Sequence, residues 1–140
     1  MLEILKEENY NDIIRLGSKL NAKFLKLYPK ETLFNNYTKI VGYKIDNSIV
    51  GFIHYEVLGE TVSILNLIVE KQYRKKNIGT YLLDYLMSDI CNKDIKNILL
   101  EVKSSNYPAI SLYTKFNFET INIRKKYYDG IDAIVMERRV

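Results

Sequence analysis

Apolar and polar residues change rhythm twice along the chain. Residues 2–5 read as a short strand. Ile13, Ile14, Leu16 and Leu20 then fall at helical spacing, behind Asn9 or Asn11 as candidate caps. A second, shorter helix is expected from about Pro29 to Tyr37. From Thr38 the pattern becomes that of strands. Residues 38–46 and 48–58 are rich in Ile, Val, Tyr and Phe, and Asp46-Asn47-Ser48 between them has turn chemistry. Gly59-Glu60 turns the chain again into residues 61–70. The inner part of that strand, Ile64-Leu65-Asn66-Leu67-Ile68-Val69, is apolar on both faces except at Asn66. Such a strand belongs near the middle of a sheet, covered on both sides.

Beyond residue 70 a polar, basic loop leads into residues 78–92, where Ile78, Leu82, Leu86 and Ile90 recur every four positions: an amphipathic helix. Residues 95–102 read as a buried strand. Ser105-Asn106 opens a short helix over 108–116, and residues 118–124 and 133–138 form a closing hairpin around Asp129-Gly130. Antiparallel strands, a strand–helix–strand crossover, then helix and hairpin predict an α+β or mixed α/β sheet with helices on both faces.

No repeat, low-complexity tract or linker divides the 140 residues, so a single domain over 1–140 is expected. At 47% hydrophobic and 27% charged the chain has a globular balance. One cysteine, Cys91, excludes an internal disulfide and a cysteine-rich metal site; it reads as a small apolar residue late in a helix. The first residues lack the basic-then-apolar order of a signal peptide, and the apolar run 64–69 is far too short to span a bilayer. A cytoplasmic location without membrane partners is therefore expected.

The net charge of +4 suits an anionic ligand without identifying one. Basic residues gather at Lys71, Arg74, Lys75 and Lys76, and again at Arg124, Lys125 and Lys126, either as solvated loops or as binding groups. The first group runs through Asn77-Ile78-Gly79 into the long helix. A helix start leaves backbone N–H groups unpaired and carries partial positive charge, and residues such as Asn77 and Gly79 let a phosphate approach that backbone. The same residues also suit an ordinary strand-to-helix turn.

Arg74-Lys75-Lys76-Asn77-Ile78-Gly79 resembles the acetyl-CoA signature of the GNAT superfamily, Gln/Arg-x-x-Gly-x-Gly/Ala, with Asn77 in place of the first glycine. Asparagine is the non-glycine residue most tolerant of positive φ. Leu100-Glu101-Val102-Lys103-Ser104-Ser105-Asn106, Ala109-Ile110-Ser111-Leu112-Tyr113 and Phe116-Asn117-Phe118 resemble a block of the bacterial ribosomal-protein-alanine N-acetyltransferases, with Asn117 replacing a customary glycine. Arg124 to Tyr128 and Asp132 to Met136 are similar to that branch's C-terminal segments. The resemblance covers about residues 64–136; the first 60 residues match only in their order of elements.

The resemblance implies a GNAT fold: a mostly antiparallel sheet splayed between the strands over 61–70 and 95–102, where acetyl-CoA inserts. It implies that backbone groups of Leu67, Ile68 and Val69 pair with the pantetheine arm. It further implies that Lys75, Lys76, Asn77, Ile78, Gly79 and Thr80 cradle the pyrophosphate and that Asn106 hydrogen-bonds the cosubstrate. Glu101 corresponds to the general base, Tyr113 to the general acid, and Tyr127 and Tyr128 to the peptide side of the cleft. The acceptor it implies is a protein N-terminal amine, with a ribosomal protein as the leading substrate; no metal or direct nucleic-acid contact is expected.

Chemistry suits these residue types. Only a neutral amine attacks a thioester, and an α-amine with pKa about 7.7–8.0 asks less of a carboxylate base than a lysine near 10.4. Bland roles remain open: Glu101 as a strand-end carboxylate, Tyr113 as core, Asn106 as a helix cap. His54, the sole histidine, reads as structural or at most as substrate-side lining. Two other functions fit: acetylation of a small-molecule or lysine amine, and a catalytically silent module binding CoA or nucleic acid through its basic loops.

Overall fold

The computed structural model describes residues 1–128 and 130–140, with Tyr128 in its backbone only. Its elements in chain order are β1 (Leu2–Ile4), α1 (Tyr10–Leu20), α2 (Phe24–Leu27), α3 (Lys30–Leu33), β2 (Thr38–Ile45), β3 (Ser48–Leu58), β4 (Thr61–Val69), α4 (Ile78–Ile90), β5 (Asn97–Lys103), α5 (Tyr107–Lys115), β6 (Glu119–Tyr128) and β7 (Ile131–Arg139). The strands make one sheet in the order β1-β2-β3-β4-β5-β7-β6. Every junction is antiparallel except β4–β5, which the α4 crossover makes parallel. This is the mixed α/β architecture of the GNAT fold, and β4 is its central strand.

Two cores flank the sheet. On one face Val41, Ile53, Tyr55, Val62, Ile64, Ile98, Leu100 and Val102 pack against Ile78, Leu82, Leu83, Leu86 and Ile90 of α4 and Tyr113 of α5. On the other, Ile40, Ile49, Phe52 and Ile68 meet Ile13 and Leu16 of α1, Phe24 of α2 and Leu33 of α3. The four-residue period of α4 is thus the stripe that faces the sheet. A two-residue turn at Asp46-Asn47, both at positive φ (50° and 66°), closes β2 onto β3.

The N-terminal helices depart from expectation. The helix expected over 29–37 stops at Leu33 because side chains take over its last carbonyls. Asn35 Nδ2 donates to the Glu31 carbonyl at 2.8 Å, and Thr38 Oγ1 donates to the Leu33 carbonyl at 2.9 Å. Asn35 Oδ1 also takes the Tyr37 N–H at 2.8 Å. The one-turn α2 is too short for any period to reveal; Phe24, fully buried, anchors it against Gly17, where a Cβ would stand 2.6 Å from the ring. Leu20, expected on the buried stripe, is 49% exposed at the end of α1. Cys91 ends α4 exposed rather than packed. Among the described residues no helix is long and apolar enough to cross a membrane.

Candidate active site

β4 and β5 pair only from Thr61↔Asn97 to Ile64↔Leu100, yet both strands run on. At the split, β4 carries one extra residue. His54 of β3 faces Asn66 and Tyr55 faces Ile64, which leaves Leu65 as a β-bulge. Because side chains alternate with period two, the extra residue exchanges the faces of everything after it. Val62 and Ile64 face α4, whereas Ile68 lies in the α1–α3 core and Asn66 meets His54 on that same side. The gap is a cleft of about 320 Å³ whose walls include Ile64 to Leu67 on one side and Glu101 to Lys103 on the other.

Because the gap passes through the sheet, residues from both faces reach it. Leu100 and Val102 are core on the α4 side, so Glu101 between them points to the α1–α2 side. Tyr113 approaches from α5 on the opposite side and is 5% exposed. Both line the cleft, as do Asn106 and Ala109. Burial pushes the Tyr113 phenol well above the ordinary tyrosine value, so it stays protonated. Its ring leans on Phe118, centroids 5.6 Å apart. Asn106 caps α5, its Oδ1 accepting from the Ala109 N–H at 3.3 Å, which leaves its amide N–H groups for a ligand.

The phosphate-binding candidates lie just past β4. Asn77 is in the left-handed region (φ 62°) and starts α4, the conformation its replacement of glycine requires; Lys75 (φ 64°) and Asn117 (φ 67°) share that region. The first intrahelical bond comes from Tyr81 N–H to the Asn77 carbonyl, so the N–H groups of Ile78, Gly79 and Thr80 precede it. Gly79 is small for a different reason: a Cβ there would stand 3.0 Å from Leu112 Cδ2. It lets the start of α4 lie against α5, whose Ala109 and Tyr113 line the cleft. Arg74 Nε donates to the Val69 carbonyl at 3.3 Å, and Lys76 lies 5.7 Å from the Tyr73 ring centroid. Among the described residues no acid is paired with Lys71, Arg74, Lys75 or Lys76, so their charge is available to an anion. Of the pantetheine candidates, Leu67 lines the cleft. Ile68 turns its side chain into the far core, and the Val69 carbonyl is already taken by Arg74. These residues fit a diphosphate and an extended amide-bearing arm.

The cluster Arg124, Lys125, Lys126 is on β6, not in a loop. Arg124 Nη1 holds Glu101 Oε1 at 2.5 Å, and its guanidinium carbon lies 4.0 Å from the Tyr127 ring centroid. Tyr127 lines the cleft; the side chain of Tyr128 and the turn residue Asp129 lie outside the described residues. The remaining wall comes from Leu20, Asn21, Lys23, Leu27 and Tyr28, which carry no motif and which sequence reasoning missed. His54 is fully buried behind that wall. Among the described residues no group of three or more His, Cys, Asp or Glu side chains gathers to hold a metal.

The model of the acetyltransferase (GNAT) family matches residues 2–118. An N-alpha-acetyltransferase of Saccharolobus solfataricus is 38% identical over 108 residues, covering 67% of this chain and 65% of the relative. A putative ribosomal protein bS18-alanine N-acetyltransferase of Bacillus subtilis is 32% identical over 108 residues, covering 76% of this chain and 72% of the relative. The chain thus spans about two-thirds of the length of these relatives. The solved PaiA N-acetyltransferase of Thermoplasma acidophilum, in complex with coenzyme A, has the same fold: TM-score 0.82 at 22% identity, over 100% of this chain and 99% of the other.

Proposed function

The chain belongs to the acetyltransferase (GNAT) family, and on that premise we propose that it transfers the acetyl group of acetyl-CoA to the N-terminal α-amine of a protein. The acceptor we favour is the N-terminal alanine of a ribosomal protein, and the cytoplasm is the expected place of the reaction. What carries the reading is the parted pair β4–β5, with Glu101 and Tyr113 entering one cleft from opposite faces of the sheet. The acceptor class is supported by the names of the relatives, which include N-terminal acetyltransferases, and by the modest basicity of an α-amine.

In this mechanism the amine nitrogen attacks the thioester carbon, a C–N bond forms and the C–S bond breaks. The Glu101 carboxylate takes the amine's proton, directly or through water. Tyr113 donates its phenolic proton as a hydrogen bond to the departing thiolate. The diphosphate rests on the N–H groups at the start of α4, among Lys75, Lys76 and Asn77, while Asn106 and the open edge of β4 hold the arm. No covalent intermediate on the protein is required.

The test is Glu101→Gln, assayed by thiol release with an alanine-initial peptide. Removing a general base costs on the order of 10²–10⁴ in rate. Turnover should fall by that much while the dissociation constant for acetyl-CoA stays within about twofold. Full activity of the variant would remove Glu101 from the chemistry. Wild-type turnover of polyamines in preference to peptides would move the acceptor to another class.

A further inference from the structure

Asn66 is the one polar side chain on the apolar stretch of β4, and the Leu65 bulge decides where it points. Without the bulge, Asn66 would share the face of Val62 and Ile64 and lie against α4. With it, Asn66 comes to the α1–α2 side, the side on which Glu101 stands across the gap, and both line the cleft. This side of the wall also carries Leu27 and Tyr28 of the α2 segment and Tyr127 of β6. This is the half of the cleft away from α4 and its basic loop, hence the half open to an acceptor.

Behind Asn66 sits His54, opposite it in the β3–β4 register and fully buried. Asn66 Nδ2 lies 3.1 Å from His54 Nδ1. Among the described residues the His54 Nε2 has no hydrogen-bond partner, and the Thr32 backbone lies beside the ring. With the proton on Nε2, Nδ1 is left as an acceptor and takes an N–H from the Asn66 carboxamide. That fixes the carboxamide with its nitrogen inward and its oxygen toward the cleft. A buried histidine lacking a full complement of partners costs stability. Here its polar contact orients a side chain in the cleft wall, and the Tyr28 hydroxyl faces that same side chain. Tyr28 completes the arrangement, its ring edge-on to His54 at 5.6 Å between centroids.

We propose that Asn66 is an acceptor-positioning residue: its Oδ1, held outward by His54, accepts an N–H from the incoming N-terminus and so aims the amine at the gap beside Glu101. The inference rests on the transfer reaction proposed above and adds to it the group that grips the acceptor.

The experiment measures binding as well as rate: calorimetry of an alanine-initial peptide with the CoA-loaded protein, its N-acetylated form as control, and steady-state thiol release. Asn66→Ala should weaken peptide affinity by about tenfold, the usual worth of one hydrogen bond to a charged group. The acetyl-CoA dissociation constant should stay within twofold. His54→Leu should weaken peptide affinity at least threefold, and the double variant should be no worse than Asn66→Ala alone, because the two act as a unit. His54→Gln, whose Oε1 can accept the same N–H, should recover most of the loss, which a merely structural role would not produce. Unchanged peptide affinity in Asn66→Ala, or effects of the two variants that multiply, would overturn the inference while leaving the transfer reaction standing. Absence of thiol release from the wild-type protein with every amine would overturn both.

Discussion

Arg124 on β6 reaches diagonally across β7 to hold Glu101 on β5, Nη1 to Oε1 at 2.5 Å. In register, Glu101 stands beside Val135 and Arg124 beside Ala133, so the pair bridges one intervening strand and two residues of offset. The side chains are 32% and 44% exposed. An exposed ion pair of this kind contributes no more than about 1 kcal/mol to stability. Its effect lies in fixing the carboxylate at the cleft mouth.

Arg124→Gln should therefore act on kinetics and spare stability. A carboxylate released to several rotamers loses the orientation on which proton transfer depends. We expect kcat to fall by about tenfold with the melting temperature within about 2 °C of wild type, and Arg124→Lys to recover part of the loss. A large drop in melting temperature without a kinetic effect would make the pair structural.

Tyr113→Phe removes only the hydroxyl, since the ring packing against Phe118 is retained. We expect kcat to fall by about ten- to a hundredfold with the KM for acetyl-CoA unchanged. Burial raises the phenol above its usual value, so wild-type activity should show no alkaline loss traceable to Tyr113 below about pH 10.

Asn77 holds a left-handed conformation at the start of α4. Asn77→Gly should be tolerated, whereas Asn77→Ala should cost about 1–2 kcal/mol, because alanine keeps the Cβ that crowds a left-handed backbone and loses the short polar side chain that makes asparagine tolerant of it. Urea unfolding gives the cost and calorimetry with acetyl-CoA its consequence for the loop; an Ala variant as stable as wild type would contradict the assignment.

His54 gives the fold an acid-side sensitivity. Burial lowers its pKa from 6.5 to about 4, so between those values the unfolded chain binds the proton and the folded chain does not. The contribution is full above pH 6.5 and falls as pH drops toward 4, by about 3 kcal/mol in total. Unfolding at pH 7, 5.5 and 4.5 should show that slope in the wild type. Between pH 7 and 5.5 the slope should be missing from His54→Leu, since no other histidine is present and the depressed carboxylates Glu70, Asp89 and Asp132 titrate lower.

Strong periodicity made most of the sheet and α4 readable. Ser48–Leu58 begins and ends where its pattern does, and the mixed Ile64–Val69 stretch declared a central strand. The motif around Leu100–Tyr113 pointed to Glu101, Tyr113 and Asn106, which the fold brings to one cleft. Not legible were Tyr28, Asn21 and Leu27, because one-turn helices have no period and a wall residue in a loop needs no motif. Nor was the Arg124–Glu101 contact, which joins residues 23 apart through a strand that comes later in the chain. The two asparagines standing for glycine both occupy the left-handed region that glycine would have filled.

Leu65 makes β4 a strand written in two frames. Up to Ile64 even-numbered residues belong to the α4 core, and from Asn66 onward they belong to the opposite layer. Taking that single leucine into regular register, with nothing removed, would rejoin the frames and carry Asn66 and Ile68 into the oil beneath α4, while turning Leu67 and Val69 outward to the far layer. The chain would lose its cleft wall without losing a single residue from that wall.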